Sequence, residues 1–343
     1  MELNSVNTLA GEVSPKPVNY KAEKKNFSRI GLGMFLYSIF YFVVQIIGMT
    51  LVGMCGETVQ MNFGVIASMV PGYIICIPLL FLFLKKTALP CEIHKEKLSV
   101  GRLFAAFLVA EAFMYAGNIV GNIINALVSL IPGFVERNPL QDLLGQTSMW
   151  QTIIVVAIAA PIAEELVFRK ALIDRLGRYG DKIAIVVSAA AFALFHGNII
   201  QFVYAFLVGL VLGYVYRKTG NILYSIIIHV LMNFNGSVLS QLVLEKSGYM
   251  DIMQQAAGGA EISTEMLMEH AGGMLMFALY SLVLLAMVVA GFAIFLINKK
   301  KLTLREGEVS VEKDKRFSTI ALNVGAILYI VLWLIMTVIA LLG

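Results

Sequence analysis

The sequence predicts an all-α protein that crosses a membrane several times. Of its 343 residues, 59% are hydrophobic and only 14% are charged, whereas a soluble domain carries about 25% charged residues. The apolar residues also occur in runs of about 20, the length of a helix that spans the hydrocarbon core. Because lipid cannot hydrogen-bond to a free backbone, such runs must be helical. The predicted fold is therefore a polytopic transmembrane helical bundle.

Nine apolar stretches qualify as membrane spans. They are residues 30–55, 63–84, 103–131, a stretch from about 153, 183–196, 199–216, 222–243, 274–297 and 320–342. The fourth and fifth are ambiguous in extent. The preceding residues, 1–29, are polar and the first apolar run is too long for a signal peptide, so we expect a solvated basic tail there. Two short interfacial helices are predicted at 251–255 and 263–269.

The basic residues predict how the bundle is oriented. Of 26 Lys and Arg residues, 24 lie before the first span or in the alternate segments 85–102, 169–182, 217–218 and 299–316. The other two are Arg137 and Lys246. By the positive-inside rule the N-terminus is cytoplasmic and the C-terminus lies outside. The same alternation supports the count of nine spans.

Small residues predict which helices pack closely. Gly117 and Gly121 in the third span, and Gly209 and Gly213 in the sixth, form small-xxx-small patterns, and Ala189 lies in an alanine-rich fifth span. Such residues let helix backbones approach each other in lipid. A compact arrangement of spans three, five and six is expected.

The three cysteines give no sign of a disulfide. Cys55 is predicted at the outer face, Cys76 inside a span and Cys91 in a cytoplasmic loop, and no two are separated by only two residues. A structural disulfide and a thiolate metal site are therefore not expected.

Ionisable side chains inside the apolar runs indicate a function, because inserting each one at mid-bilayer costs at least about 2.5–3.5 kcal/mol of free energy. The fourth span carries Glu164, Glu165 and Arg169. Glu165 and Arg169 are four residues apart and share a helix face, so they are predicted to pair. Glu164 is rotated by about 100° and points elsewhere, which leaves its carboxylate available for chemistry.

Two of the four histidines also lie in spans. His196 follows Phe192 by four residues in the fifth span, and His229 precedes Asn233 by four residues in the seventh. A single buried histidine is more often a packing residue. Two histidines together with an acidic pair and an arginine indicate a functional site.

Depth counting predicts where the fourth helix ends. His196 lies 14 residues beyond Lys182, and Glu164 lies 14 residues before Arg178. If the fourth helix continues to Arg178, Glu164 and His196 lie at the same depth in the membrane. Pairs of Lys170 with Asp174 and of Asp174 with Arg178 would support this extension. Arg169 is then predicted to be buried.

This set of side chains suffices for amide hydrolysis. Glu164 and His196 can hold a water molecule, with the carboxylate as general base. His229 and Asn233 can donate hydrogen bonds to the oxyanion that forms. Alternatively, Glu164, His196 and His229 could supply three ligands of one divalent metal, such as zinc, with an open position. The sequence leaves both versions open.

The three motifs, in this order along the chain, resemble those of the CPBP family. That family comprises type II CAAX prenyl endopeptidases and bacterial bacteriocin-processing or self-immunity relatives, and the resemblance covers about residues 145–240. It implies that Glu164 and His196 activate the water and that His229 and Asn233 form the oxyanion hole. It also implies that Glu165 and Arg169, with Phe192 of the second motif, support the site. Lys170 departs from the small residue usual after that arginine.

The expected organisation follows from this resemblance. Residues 1–29 are a cytoplasmic tail, 30–144 the N-terminal transmembrane helices, 145–243 the CAAX-protease-like catalytic core, 244–273 an extracytoplasmic loop and 274–343 the C-terminal transmembrane helices. Glu111, in the third span with Asn118, could line the same cavity.

The predicted function is an intramembrane endopeptidase, or metalloendopeptidase if a metal is used, in a cell membrane, with the bacterial plasma membrane favoured. Its partners are the lipid bilayer and a peptide or membrane-protein substrate, and no nucleic acid is expected. The alternatives are a non-proteolytic scaffold or immunity protein that retains the fold and, less favoured, a proton- or cation-coupled transporter. Substrate identity and oligomeric state stay open.

Overall fold

Long apolar helices make up the structure, a computed structural model that describes residues 18–87, 95–135, 138–145, 147–259 and 262–342. All regular elements within these ranges are helices, so the all-α prediction is confirmed. Residues 1–17 of the predicted tail, together with Cys91 and Arg137, lie outside the described residues.

Nine helices follow the nine predicted spans. They are α1 (Tyr20–Met54), α2 (Glu57–Leu84), α3 (Val100–Val128), α4 (Met149–Tyr179), α5 (Asp181–Phe195), α6 (Ile199–Thr219), α7 (Ile222–Ser247), α8 (Ala271–Lys301) and α9 (Val324–Leu342). Within the described part of the chain, eight of these are long and apolar enough to cross a membrane. The remaining helix, α5, has only 15 residues. The count of nine spans and the orientation of the termini therefore stay predictions.

Shorter helices lie between the long ones. They are Pro139–Gly145 before α4, Tyr249–Ala257 and Thr264–Glu269 between α7 and α8, and Lys313–Ile320 before α9. The middle two coincide with the short helices predicted at 251–255 and 263–269.

The last ten residues of the predicted tail, 20–29, are helical, because α1 begins at Tyr20. The side chain of Asn19 caps the helix by accepting a hydrogen bond from the amide of Ala22 at 3.1 Å, which satisfies a free N–H of the first turn. Phe27 is buried. Asn26 donates to the Tyr179 hydroxyl at 2.8 Å. The first turns of α1 are thus held against the end of α4.

The predicted extension of α4 is confirmed, because the helix runs to Tyr179. Lys170 pairs with Asp174 at 2.9 Å, as predicted. The other predicted pair is not seen, since Arg178 lies 3.5 Å from Glu23 of α1 instead. The unpredicted early start of α1 places that carboxylate beside Arg178.

Glycines bring α3, α5 and α6 together as predicted. A Cβ on Gly121 of α3 would lie 3.0 Å from Cα of Ile200 in α6. A Cβ on Gly209 of α6 would lie 2.9 Å from Cα of Ala189 in α5. Neither distance leaves room for a side chain, so these glycines set the helix spacing.

The helix α4 lies at the centre of the bundle and contains two π-helical stretches. It contacts α2, α5, α6 and α7. Residues Thr152–Ala159 and Leu166–Ile173 are π-helical and flank the α-helical turn Ala160–Glu165. A third π-helical stretch, Phe234–Leu239, follows Asn233 in α7. Such turns are rare and often occur at functional sites, and the hydrophobic pattern does not predict them.

The segment between α8 and α9 closes the end of the bundle where the basic segments lie. The amide of Asp181 donates to the Arg305 carbonyl at 3.0 Å, and that of Val309 donates to the Arg178 carbonyl at 3.0 Å. The carboxylate of Asp181 accepts from Nε of Arg217 at 2.5 Å and from Nε of Arg305 at 3.2 Å. These bonds join α4, α5 and α6 to the segment between α8 and α9.

Candidate active site

The acidic pair of α4 separates as predicted. Glu165 and Arg169 have no exposed surface, and Nε of Arg169 lies 3.1 Å from Oε2 of Glu165. Glu164, one residue earlier, keeps 15% of its side chain exposed and faces a cavity. The predictions that Arg169 is buried and pairs with Glu165 are therefore confirmed.

His229 joins the two glutamates. Its Nδ1 lies 3.0 Å from Oε1 of Glu165 and its Nε2 lies 3.5 Å from Oε2 of Glu164. Two carboxylates and Arg169 leave one negative charge when both glutamates are ionised. A protonated His229 would balance it, and buried charges require such compensation. The imidazole thus lies between the two carboxylates.

The orientation of His196 leaves one ring nitrogen for chemistry. Its Nδ1 lies 2.8 Å from the Phe192 carbonyl. A carbonyl can only accept, so we assign the proton of the neutral ring to Nδ1 and leave Nε2 as an acceptor. The side chain of Asn198 donates to the His196 carbonyl at 2.8 Å, which holds the end of α5 in place.

Phe192 packs between the polar groups of the site. Its ring meets those of His196 and His229 edge to face, with centroids 4.8 and 5.7 Å apart. The guanidinium of Arg169 lies over the same ring, 4.8 Å from its centroid. The ring therefore positions both imidazoles and contributes a cation–π contact to Arg169. This contact explains why a phenylalanine stands four residues before His196.

Asn233 has one amide hydrogen committed and one available. Its Nδ2 donates to the Val156 carbonyl at 2.9 Å. An amide nitrogen has two N–H groups, so a second donor remains. The hydroxyl of Ser237 donates a hydrogen bond to the backbone carbonyl of Asn233 at 2.5 Å. Val156 belongs to the first π-helical stretch of α4, so that distortion contributes directly to the site.

One cavity connects these groups. Its volume is about 590 Å³, and all four predicted catalytic side chains line it: Glu164, His196, His229 and Asn233. They come from α4, α7 and the end of α5. Asn118 also lines the cavity, but Glu111 does not. Glu111 is fully buried and its Oε1 accepts from Asn235 at 3.1 Å.

Aromatic residues that were not predicted as site residues form much of the cavity wall. Tyr41 of α1, Tyr73 of α2, Tyr204 of α6 and Trp333 of α9 all line it. Sequence spacing offers no signal for them, because an aromatic residue in a transmembrane helix is ordinary packing material. Only the fold brings α1, α2 and α9 against the core.

The donor set does not fit a metal ion in this geometry. Among the described residues, no three His, Cys, Asp or Glu side chains are arranged to hold one. The two nitrogens of His229 face the two carboxylates. A metal on Glu164, His196 and His229 would require that arrangement to change.

The protein is thus a helical membrane bundle in which a carboxylate, two imidazoles and an amide surround one internal cavity. Residues 146–235 match the Rce1-like type II CAAX prenyl endopeptidase family. The resemblance to that family is thus confirmed, and it supports an intramembrane endopeptidase at the level of the family.

The chain is also similar to the UPF0177 protein YxdF of Lactococcus lactis subsp. lactis (strain IL1403). The two are 26% identical over 132 residues, which cover 38% of this chain and 73% of that protein. No solved structure matches the chain.

Proposed function

We propose that the protein is an intramembrane endopeptidase that hydrolyses a peptide bond with a water molecule activated by Glu164 and His196. The observation that carries this proposal is that Glu164, His196, His229 and Asn233 line one cavity. These residues reach the cavity from three helices that are distant in sequence: Glu164 from α4, His196 from the end of α5, and His229 and Asn233 from α7. A scaffold or a packing role would not need a largely buried carboxylate to face a cavity beside two imidazoles.

The proposed reaction begins with the water. The carboxylate of Glu164 and Nε2 of His196 accept its two hydrogens, and Glu164 takes one proton as the oxygen attacks the peptide carbonyl carbon. The C=O electron pair moves to the carbonyl oxygen and gives a tetrahedral oxyanion. Collapse of this intermediate reforms the C=O bond and breaks the C–N bond. The proton taken by Glu164 passes to the leaving nitrogen, so atoms and charge balance.

The oxyanion is stabilised by donors that are already in place. The second N–H of Asn233 and, when protonated, Nε2–H of His229 are the candidate donors. A preorganised donor of this kind contributes about 10²–10³ to kcat. Glu165 and Arg169 do not line the cavity and act by holding His229, through its Nδ1, in position. We assign them a positioning role.

The proposal is tested with purified full-length protein and a peptide library. Wild type, Glu164→Gln and His196→Gln are compared, with Glu111→Gln as a matched control at a buried glutamate outside the cavity. We expect cleavage by wild type and the control, and a loss of about 100-fold or more in the two site variants. Cleavage that none of the changes affects would refute the mechanism. Metal analysis and chelator treatment of the same preparations report whether activity needs a metal ion.

A further inference from the structure

The cavity continues from the catalytic groups toward one end of the bundle. Beyond Asn233 on α7, its wall is formed by Gly236, Ser237 and Ser240. Leu140, in the short helix before α4, and Asn198, in the turn between α5 and α6, also line it. All of these lie toward the end opposite the basic segments. A ligand can thus approach Glu164 from that end.

The other direction is closed by packed side chains. On the far side of Glu164, Phe168, Arg169, Leu172 and Ile173 of α4 are at most 1% exposed. Ser188 of α5 donates to the Phe168 carbonyl at 2.7 Å and ties the two helices together at this level. A peptide cannot pass through such a layer without unpacking it.

The charge of the cavity restricts what can enter. Among the described residues that line it, Glu164 is the sole Asp, Glu, Lys or Arg. Arg169 is the nearest cation on α4, but it is fully buried and paired with Glu165. Arg169 and a protonated His229 together only balance the charges of Glu164 and Glu165. A negative group that enters would therefore lack a compensating cation, and an unpaired buried charge is costly.

We propose that the substrate is an internal peptide segment, uncharged or basic around the cleaved bond, which enters from the end of the bundle opposite the basic segments. With the orientation predicted by the positive-inside rule, that end is extracytoplasmic. This inference rests on the proposed function for its substrate, whereas the direction of access can be measured without activity.

Internal segments are favoured over free C-termini by the same charge argument. An extended chain covers about 3.3–3.6 Å per residue, so a carboxylate three residues from the cleaved bond lies about 10 Å from Glu164. Among the described residues, no lysine or arginine lines the cavity to pair with that carboxylate. An internal segment carries no such charge, and a lysine or arginine near the bond would be attracted by Glu164.

Access is tested with single cysteines at glycines that have room for a side chain. The native cysteines are replaced by serine, and cysteine is placed at Gly145, Gly236 or Gly101 in turn. A Cβ at Gly145 or Gly101 meets nothing within 4 Å, and at Gly236 it meets only Cε of Met114 at 3.8 Å. Gly145 lies at the predicted outer end, Gly236 in the cavity wall and Gly101 at the basic end.

The reagent is a sulfonated maleimide that does not cross membranes, added to intact cells. We expect Gly145→Cys and Gly236→Cys to react, and Gly101→Cys to react only after permeabilisation. The proposed access path would be overturned if Gly236→Cys, like Gly101→Cys, reacts only after permeabilisation. Each variant must keep the thermal unfolding temperature of the cysteine-free protein, and none of these results depends on catalysis.

The charge of the substrate is tested with peptide pairs in detergent, where both ends of the bundle are accessible. Each pair has one sequence with a cleavable bond three residues from its end, as a free acid or as an amide. We expect kcat/KM to be about tenfold lower or more for the free acid. Equal rates would overturn the substrate class while leaving the proposed function standing. Cleavage of neither peptide, nor of any longer peptide in the library, would count against the proposed function instead.

Discussion

The guanidinium of Arg169 carries much of the electrostatic balance of the site. It has no exposed surface, lies 3.1 Å from Glu165 and stacks on Phe192. In the described structure its Nη atoms have no hydrogen-bond partner, so Coulomb attraction and the ring contact hold it. Removing one partner of such a pair leaves the other charge buried and uncompensated.

We therefore predict that Arg169→Met destabilises the protein by about 3–5 kcal/mol. The double variant Glu165→Gln with Arg169→Met removes both charges and should recover part of that loss. Thermal unfolding in detergent, followed by near-ultraviolet circular dichroism, measures both. A single variant that is as stable as the double variant would show that Glu165 is not ionised.

Phe192 offers a test of positioning without loss of a polar group. We predict that Phe192→Leu lowers kcat by about tenfold, because both imidazoles lose a ring that fixes their orientation, while KM changes less. Phe202→Leu is the control, since Phe202 is 40% exposed on the surface of α6. Steady-state kinetics separate the two parameters. A change confined to KM would assign Phe192 to substrate contact instead.

At the scale of single residues, the sequence predicted the polar side chains of the site but not the aromatic residues of the cavity wall. Glu164 and His196 are conspicuous because a polar side chain in lipid is costly. Tyr41 and Trp333 carry no such signal, although both line the cavity. Their roles depend on which helices meet, which spacing within one helix does not determine.

Among the helices, α4 shows what depth counting can and cannot predict. Its end near Arg178 followed from matching Glu164 with His196 in depth. Its two π-helical stretches did not, because a shift of one hydrogen-bond register leaves no mark on the hydrophobic pattern. That shift matters, since the carbonyl that accepts from Asn233 belongs to Val156 in the first stretch.

Close packing of α5 on α6 gives a prediction about an element rather than the site. Gly209→Ala should destabilise the protein by about 1–3 kcal/mol, because its Cβ would lie 2.9 Å from Cα of Ala189 and the helices must move apart. Gly101→Ala is the matched control, since a Cβ there meets nothing within 4 Å. The thermal unfolding temperatures of the two variants measure this difference in stability. Equal stability would mean that α6 can shift freely.

The helix α5 also shows why the number of spans is harder to predict than their positions. An apolar run of 14 residues suits a buried core helix as well as a span. In the structure, α5 has 15 residues, begins at the buried Asp181 and ends beside His196, which contributes to the cavity. Its ends are covered by other parts of the protein, so it does not need the full length of a membrane helix.

For the molecule as a whole, α9 returns to the first helix and completes the cavity wall. Gly325 of α9 lies against the backbone of Ser28 in α1, and Nε1 of Trp333 donates to Ser38 of α1 at 3.3 Å. Trp333 also lines the cavity. The C-terminal helix, which the sequence did not connect with the site, therefore shapes it.

We predict that Gly325→Leu separates α9 from α1 and lowers both stability and activity. In a Trp150→Phe background, the fluorescence of Trp333 should shift to longer wavelength as that side chain becomes more exposed. Gly272→Leu is the control, because a Cβ on Gly272 meets nothing within 4 Å. Unchanged fluorescence with lost activity would contradict this account of the cavity wall.

The central claim, that Glu164 activates a water molecule for peptide hydrolysis, is tested most directly by isotope incorporation. Purified wild type and Glu164→Gln are incubated with a cleavable peptide in H₂¹⁸O, and the products are analysed by mass spectrometry. We predict one ¹⁸O atom in the new carboxyl group with wild type, and a rate at least about 100-fold lower with Glu164→Gln. Cleavage by Glu164→Gln at the wild-type rate would contradict the claim.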